Sequence, residues 1–201
     1  MREKINYFFR RQRDLVNRNR LNVQGFTIIS QNCTGGVIYH DLGLQFLSPT
    51  INLFFSPNDF CKFCLNLKYY ISLQIKEKES PKPYPVGMVG DIELNFMHYE
   101  SFEEARQCWE KRKARINYDN LVVIGISSKD TPEEYYEEFE KIPYAKVILS
   151  QELVPQHKNA VYVNGFDSIK TNQLLDFKSF FSGERYLDAW DYVTWLNEVL
   201  A

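Results

Sequence analysis

At 201 residues and a net charge of −2, the chain has room for one core of ordinary-to-large size, and its overall balance carries no footprint of a nucleic-acid binder. Hydrophobic residues at 44% and charged residues at 25% lie close to the average for globular proteins, which excludes a disordered chain and a bundle of membrane spans. No apolar run reaches the ~18 residues that a span requires, and the start lacks the apolar stretch of a secretory signal, so a cytoplasmic protein is expected.

The charge is uneven along the chain. Residues 1–20 hold Arg2, Lys4, Arg10, Arg11, Arg13, Arg18 and Arg20 against Glu3 and Asp14, a net of +5, so the remainder carries −7. Ile5, Phe8, Phe9, Leu15 and Val16 recur at helical spacing within this prefix. A basic amphipathic helix over 1–20 is expected, either docked on its own domain or contacting an anionic membrane surface or a partner.

The run GFTIIS, residues 25–30, is short, apolar and β-branched, and reads as a buried strand. Behind it comes SQNCTGGVIYHDLG, residues 30–43, the densest run of chemically unusual residues in the chain, with a helix expected from about Val37. Ser56, Pro57 and Asp59 mark the next helix start, with the hydroxyl as cap and proline at the first position, where no N–H is needed. Phe60, Phe63, Cys64 and Leu67 then share its apolar face. That placement makes Cys61 and Cys64 buried structural residues rather than half of a zinc site, for no second ligand pair exists. With Cys33 and Cys108 they are expected to stay reduced.

Three prolines and several charges make residues 76–87 a long loop, and residues 86–96 read as one extended segment in which Ile92, Leu94 and Phe96 alternate with Glu93 and Asn95. Ser101 and Glu104 form a capping box for a helix whose basic end carries Lys111, Arg112, Lys113 and Arg115. Residues 121–127 then give a strand, 131–142 a helix capped by Thr131 with Pro132 at its first position, and 145–150 another strand. Residues 160–166 read as one more strand, and 186–200 as a closing helix with Ala189, Val193, Leu196 and Leu200 on one side. Strand–helix–strand alternation with brief links predicts an α/β fold: a mostly parallel, Rossmann-like layered sheet flanked by helices, with residues 21–201 as a single domain behind the 1–20 helix.

Ligands of open α/β sheets collect outside the carboxyl ends of the strands, which is where residues 30–43 fall if the first strand joins the parallel sheet. Gly35 and Gly36 let the backbone approach a phosphate, or simply satisfy a turn; the spacing is neither G-x-G-x-x-G nor a P-loop. Cys33 is a candidate nucleophile with His40 or His98 as its base. His40 and Asp41 together suit acid–base work, and Asp91 is a further carboxylate able to serve as base. Arg112 and Arg115, three apart, suit an anion clamp as well as they suit the helix dipole. No His/Asp/Glu grouping has metal spacing, so no metal is predicted, and no cofactor is indicated.

Two stretches, FTIISQNCTGGVIYHDLGLQFLSPTINLFF and YPVGMVGDIELNFMHYESFEEARQCWEKRKARINYDNLVVI, resemble a bacterial family commonly labelled exopolysaccharide or capsular polysaccharide biosynthesis proteins. Asn32, Cys33, Gly35, Gly36, Tyr39, His40, Asp41, Gly43, Ser48, Pro49 and Asn52 carry the likeness in the first, and Asp91, His98, Tyr99, Trp109, Arg112 and Arg115 in the second. The resemblance implies work on a nucleotide-linked or lipid-linked sugar at the inner membrane face. In that reading Asn32, Gly35, Gly36, Tyr39, Asp41 and His98 line the substrate, His40 or Asp91 is the base, and Arg112 and Arg115 hold a diphosphate. The alternatives are a Cys33-dependent hydrolase or acyltransferase and a non-catalytic component of an assembly complex.

Overall fold

A computed structural model describes residues 2–165, 174–179 and 181–201, with side chains described from residue 6 onward. Its centre is a four-stranded parallel sheet of β1 (Thr27–Ser30), β5 (Leu121–Ser127), β6 (Ala145–Ser150) and β7 (Ala160–Tyr162), in the spatial order β1-β5-β6-β7. Thr27 pairs with Leu121 and Ser30 with Ile124, while Val122 pairs with Ala145, so every neighbour runs the same way. Between β1 and β5 the chain inserts α2 (Thr34–Leu42), α3 (Pro57–Leu65), α4 (Leu67–Ser72), a three-stranded antiparallel sheet of β2 (Ile75–Lys78), β3 (Val86–Val89) and β4 (Ile92–Asn95), and α5 (Phe102–Lys113). The long helix α1 (Arg2–Arg20) precedes β1; α6 (Glu133–Glu140) links β5 to β6, and α7 (Tyr192–Val199) closes the chain.

Both faces of the parallel sheet are apolar, as strands covered on two sides must be. Ile28, Val122, Ile124, Ile126, Val147 and Leu149 pack with Ile38, Val193 and Leu196 of α2 and α7. Ile29, Val123 and Ile148 face the other way, into Phe60 and Phe63 of α3, Phe139 of α6 and Ile92 and Leu94 of the small sheet. Gly125 leaves the room this second core needs, since a Cβ there would lie 2.6 Å from the Phe139 ring.

Several expected elements appear with different limits. α2 begins at Thr34 rather than near Val37: Cys33 stands at the N-cap without a side-chain capping bond, and Oδ1 of the Asn32 side chain, one residue earlier, accepts from both the N–H and the hydroxyl of Thr34 and holds the first residue of the helix in place. The proline-rich loop is shorter than expected: Lys76–Lys78 and Val86–Gly87 pair across it as β2 and β3. The extended stretch 86–96 is a hairpin, with Val89 opposite Ile92 and Gly90 at φ 60° in the two-residue turn, a conformation glycine adopts without strain. Thr131 does not cap α6, because its hydroxyl accepts from the Ser128 N–H instead. The closing segment breaks into a 3-10 turn at Tyr186–Ala189 and α7, whose first turn Asp191 caps through the Thr194 N–H, leaving Ala189 exposed. Ser56 caps α3 and Ser101 caps α5 as expected. Phe166 and the Ile5 side chain, both named above, lie outside the described residues.

α1 meets the domain in an unusual way. Its inward stripe is Asn6, Arg10 and Asp14, all polar and at most 5% exposed, while Phe8, Phe9, Leu15 and Val16 face outward. It docks on α2 through the Arg10–Asp41 pair and on the segment leading into α7 through Arg10–Asp188, Arg20–Asp191 and a hydrogen bond from Asn17 to the Tyr192 hydroxyl.

Candidate functional site

The turn after β1 lies at the carboxyl rim of the parallel sheet. Ser30 closes the strand, and its hydroxyl accepts from the Gly35 N–H while donating to the Asn32 carbonyl. Gly35 is packed so tightly on β1 that a Cβ would fall 2.9 Å from the Ser30 Cβ and 3.0 Å from the Ile28 side chain. Its amide therefore faces the strand. Gly36, one residue on, borders open space.

Two hollows flank this turn. The first, about 380 Å³, is lined by Gln31, Asn32, Phe54, Phe55, Ser56, Pro57, Tyr84, Met97, Ile126, Ser128 and Thr131. Its walls are mainly apolar, with the Phe54 and Tyr84 rings edge to face at 6.2 Å. Gln31 is fixed from behind, where Oε1 of its side chain accepts from the Ile126 N–H and the Tyr135 hydroxyl. The second hollow, about 490 Å³, is lined by Tyr7, Cys33, Gly36, Val37, His40, Phe46, Asn52, His98, Leu175 and Arg185. Asn52 holds φ 64°, a left-handed conformation that asparagine tolerates better than most residues and that is enriched at functional sites.

The hollows adjoin. Asn32 lines one and Cys33 the other; Met97 lines one and His98 the other; the loop holding Asn52 in one supplies Phe54 to the other. An aromatic chamber and a chamber of imidazoles and a guanidinium thus share the wall made by these three segments.

Beside the second hollow lies a buried charge cluster. Arg10 reaches Asp41 at 2.7 Å, Asp14 at 2.8 Å and Asp188 at 2.5 Å, with its own side chain 2% exposed and that of Asp41 fully buried. Burial opposes the Arg10 charge, but Asp41 and Asp188 outweigh it, so the guanidinium holds its proton more firmly than a free one. Asp14 moves the opposite way from a simple ion-paired carboxylate: burial and the neighbouring Asp41 raise it further than Arg10 lowers it. It is the surplus anion of the cluster. Arg185 sits at the border, with Nε 3.7 Å from Asp41, Nη1 donating to the Leu175 carbonyl and its plane 4.5 Å over the Phe177 ring. Nε is buried toward Asp41 without a hydrogen bond, and another part of the residue lines the hollow.

His40 joins the cluster to the hollow. Its Nδ1 lies 3.1 Å from the Asp41 carboxylate, while its side chain is 68% exposed. A carboxylate only accepts, so Nδ1 carries the hydrogen, and in the neutral ring Nε2 keeps its lone pair for a substrate proton.

The other expected residues are distributed as follows. Cys33 lines the hollow with His40 and His98, but it is two helical turns from His40, about 10 Å of rise. Burial pushes its thiol up to about 11. Tyr39 is in the core, its hydroxyl donating to the Phe26 carbonyl and accepting from the Ile28 N–H. Asp91 stands at the β3–β4 hairpin tip, hydrogen-bonded by Lys62 and Tyr70, which hold it below the ordinary carboxylate value; it lines neither hollow. Arg112 donates to the Tyr99 hydroxyl at 2.6 Å and lies over the Phe46 ring, and Arg115 donates to the Phe46 carbonyl. Both brace the hollow's wall from behind rather than facing its interior. No group of three or more His, Cys, Asp or Glu placed to hold a metal occurs among the described residues.

Sequence reasoning passed over Arg10, Arg185, Phe54 and Tyr84. A signal existed for Arg10, which repeats with Asn6 and Asp14 every fourth residue as a polar stripe. For Arg185, which reaches the site from a loop far along the chain, there was none.

Residues 4–197 match the family described as Domain of unknown function (DUF1919). The chain is also 38% identical over 194 residues to a protein of Haemophilus influenzae described as an uncharacterized protein, a match covering 94% of this chain and 93% of that one. A match over nearly the whole length shows the family, and the chain belongs to DUF1919; the matched span takes in α1 and α7 as well as the α/β centre.

Proposed function

We propose that this DUF1919 protein transfers a sugar from a phosphate-linked donor, nucleotide-linked or lipid-linked, during synthesis of cell-surface polysaccharide on the cytoplasmic side of the membrane. The observation that carries the reading is the shared wall between the two hollows. A donor of this class has an apolar-faced ring beside a phosphate, and the hollows offer an aromatic chamber next to a polar one that Arg185 borders.

The ring would lie against Phe54 and Tyr84, with Asn32, Ser128 and Thr131 as hydrogen-bonding partners. The phosphate would meet Arg185 and the amino end of α2 at Gly36, where the helix dipole and the Gly36 N–H favour an anion, the Thr34 and Gly35 N–H groups being bonded to Asn32 and Ser30. His40 is the base. As the acceptor hydroxyl oxygen bonds to the anomeric carbon, its proton passes to Nε2 of His40, the bond from that carbon to the phosphate oxygen breaks, and the phosphate leaves with that electron pair toward Arg185. Asp41 steadies the imidazolium so formed. Cys33 has no nucleophilic part in this scheme, because its thiol stays protonated at neutral pH.

Thermal shift and turnover together provide the test. Uridine diphosphate and UDP-sugars should raise the melting temperature of the wild type, the free sugars should not, and Arg185→Gln should abolish the shift while keeping the circular dichroism of the fold. His40→Ala should retain the shift and lose transfer. If no nucleotide diphosphate or polyprenyl phosphate sugar shifts the melt, the reading fails. Normal polysaccharide in cells carrying His40→Ala would favour a non-catalytic role instead.

A further inference from the structure

The outer face of α1 serves no part of the site just described. At about 100° per residue, Leu15, Phe8, Val16 and Phe9 span roughly 120° of the helix, nearly opposite the inward stripe of Asn6, Arg10 and Asp14. Phe8 is 64% exposed, Val16 57% and Leu15 50%. Large apolar side chains gathered on one face of a folded helix mark an interaction surface.

The helix cannot turn to hide them. Arg10 is tied to two carboxylates outside the helix, Asp41 and Asp188, and Gly183 lies so close that a Cβ there would fall 2.4 Å from the Arg10 backbone nitrogen. Rotating α1 would strand the guanidinium and its partners without compensation. The outward face is thus fixed by the ion cluster.

Arginines border the apolar stripe on both sides, Arg11 and Arg18 on one and Arg13 and Arg20 on the other. Arg20 is paired with Asp191, and Arg13 lies 3.7 Å from Glu184. Arg18 donates to the Asp41 and His40 carbonyls, which are neutral, so it keeps its full charge, and Arg11 has no ion-pair partner among the described residues. Phe181, 67% exposed, follows in the loop that reaches α1 at Gly183.

We propose that α1 is a rigid peripheral membrane anchor, lying flat on an anionic bilayer with Phe8, Phe9, Leu15 and Val16 among the upper acyl chains and its arginines at the headgroups. The charge pattern selects a lipid surface: the edge of the apolar stripe that carries Arg11 and Arg18 keeps its positive charge, which matches anionic headgroups beside an acyl interior, and no helix of the described residues is long and apolar enough to cross a bilayer. This anchoring is independent of the transfer reaction.

The full-length chain is sedimented with vesicles of phosphatidylcholine alone or of phosphatidylcholine mixed with phosphatidylglycerol. Binding should require phosphatidylglycerol and fall with added salt. The pair Phe8→Ser with Leu15→Ser, both on the outward face and checked for an unchanged fold by circular dichroism, should lower partitioning roughly tenfold or more, and Arg11→Glu should lower it several-fold. Three outcomes overturn the proposal: no binding to anionic vesicles, equal binding by the serine pair, or a concentration-dependent dimer in sedimentation velocity that the serine pair abolishes, which would make the face a contact between two copies of the chain.

Discussion

Replacing Arg10 with methionine tests whether the ion cluster holds the amino-terminal helix to the domain. The substitution keeps the length of the stem and leaves Asp14, Asp41 and Asp188 facing one another with side chains at most 7% exposed. Removing one partner of a buried ion network typically costs about 3–5 kcal/mol, because the remaining charges stay desolvated and unpaired. For a domain near 200 residues each kcal/mol moves the melting temperature by about 2–4 °C, so a fall of roughly 6–20 °C is expected. Asp41→Asn alone should also destabilise, by stranding part of Arg10. The double variant Arg10→Met with Asp41→Asn should cost less than the sum of the singles, with coupling of about 1–3 kcal/mol, since the two act through one network. Urea denaturation at neutral pH measures all four proteins. Limited proteolysis within residues 2–20 should quicken in Arg10→Met before the domain melts. A melting temperature within about 2 °C of wild type, or strictly additive singles, would refute the reasoning.

The paired glycines should respond in opposite directions. Gly35→Ala drives a Cβ into Ser30 and Ile28 and should destabilise by about 1–3 kcal/mol, whereas Gly36→Ala meets only Ile51 at 3.4 Å and should be neutral or stabilising by up to about 1 kcal/mol, both read by urea denaturation. Cys33 should react with iodoacetamide at neutral pH more slowly than a free thiol, because burial raises it to about 11; alkylation faster than that of unfolded chain would contradict this. Acid should weaken the small sheet: Lys78 and Lys82 lower Glu93 from 4.5 to about 2, so its stabilisation is whole above 4.5 and lost as pH falls toward 2. Glu93→Gln should flatten that limb of the pH–stability curve, by a small amount given the solvent exposure of the pair. Asp14 has the opposite sign. Its folded value is raised, so its contribution to stability declines as pH climbs above the ordinary carboxylate range, and Asp14→Asn should remove that decline in the same titration.

Strands β1, β5 and β6 and helices α3 and α5 were legible in the sequence because local chemistry decided them. Their β-branched runs and Ser caps act within a few residues and needed no partner to be read. The misread limits arose where a side chain chose a partner that propensity cannot foresee. The Asn32 side chain reached forward to Thr34 and α2 started three residues early, over two glycines that usually end helices, because Gly35 is selected by its contact with β1 rather than by its backbone freedom. Thr131 turned to Ser128 instead of capping α6. The site was half legible for a similar reason. Cys33, Gly36 and His40 come from one stretch, and periodicity puts them on one side of α2. His98 and Arg185 reach the same hollow only through long-range topology, and Asp91, which reads as a strand residue, sits on a turn pointing elsewhere.

The cluster around Arg10 ties the two proposals to one physical object. Asp41 gives one oxygen to Arg10 of α1 and the other to His40 of α2, so the carboxylate that would orient the base also fixes the helix whose outer face would meet the bilayer. A guanidinium buried among three carboxylates is poor value as a source of stability alone, since an apolar contact of the same volume does as well or better. Its geometric demand is what an apolar contact lacks: Arg10 can satisfy Asp41 and Asp188 together in only one rotational setting of α1, whereas a greasy inward stripe would tolerate several. The polar interior of α1 and its apolar exterior are then two sides of one requirement. The helix must keep Phe8 and Leu15 outward, and only charge on its inner face can forbid the rotation that burial of those side chains would otherwise drive.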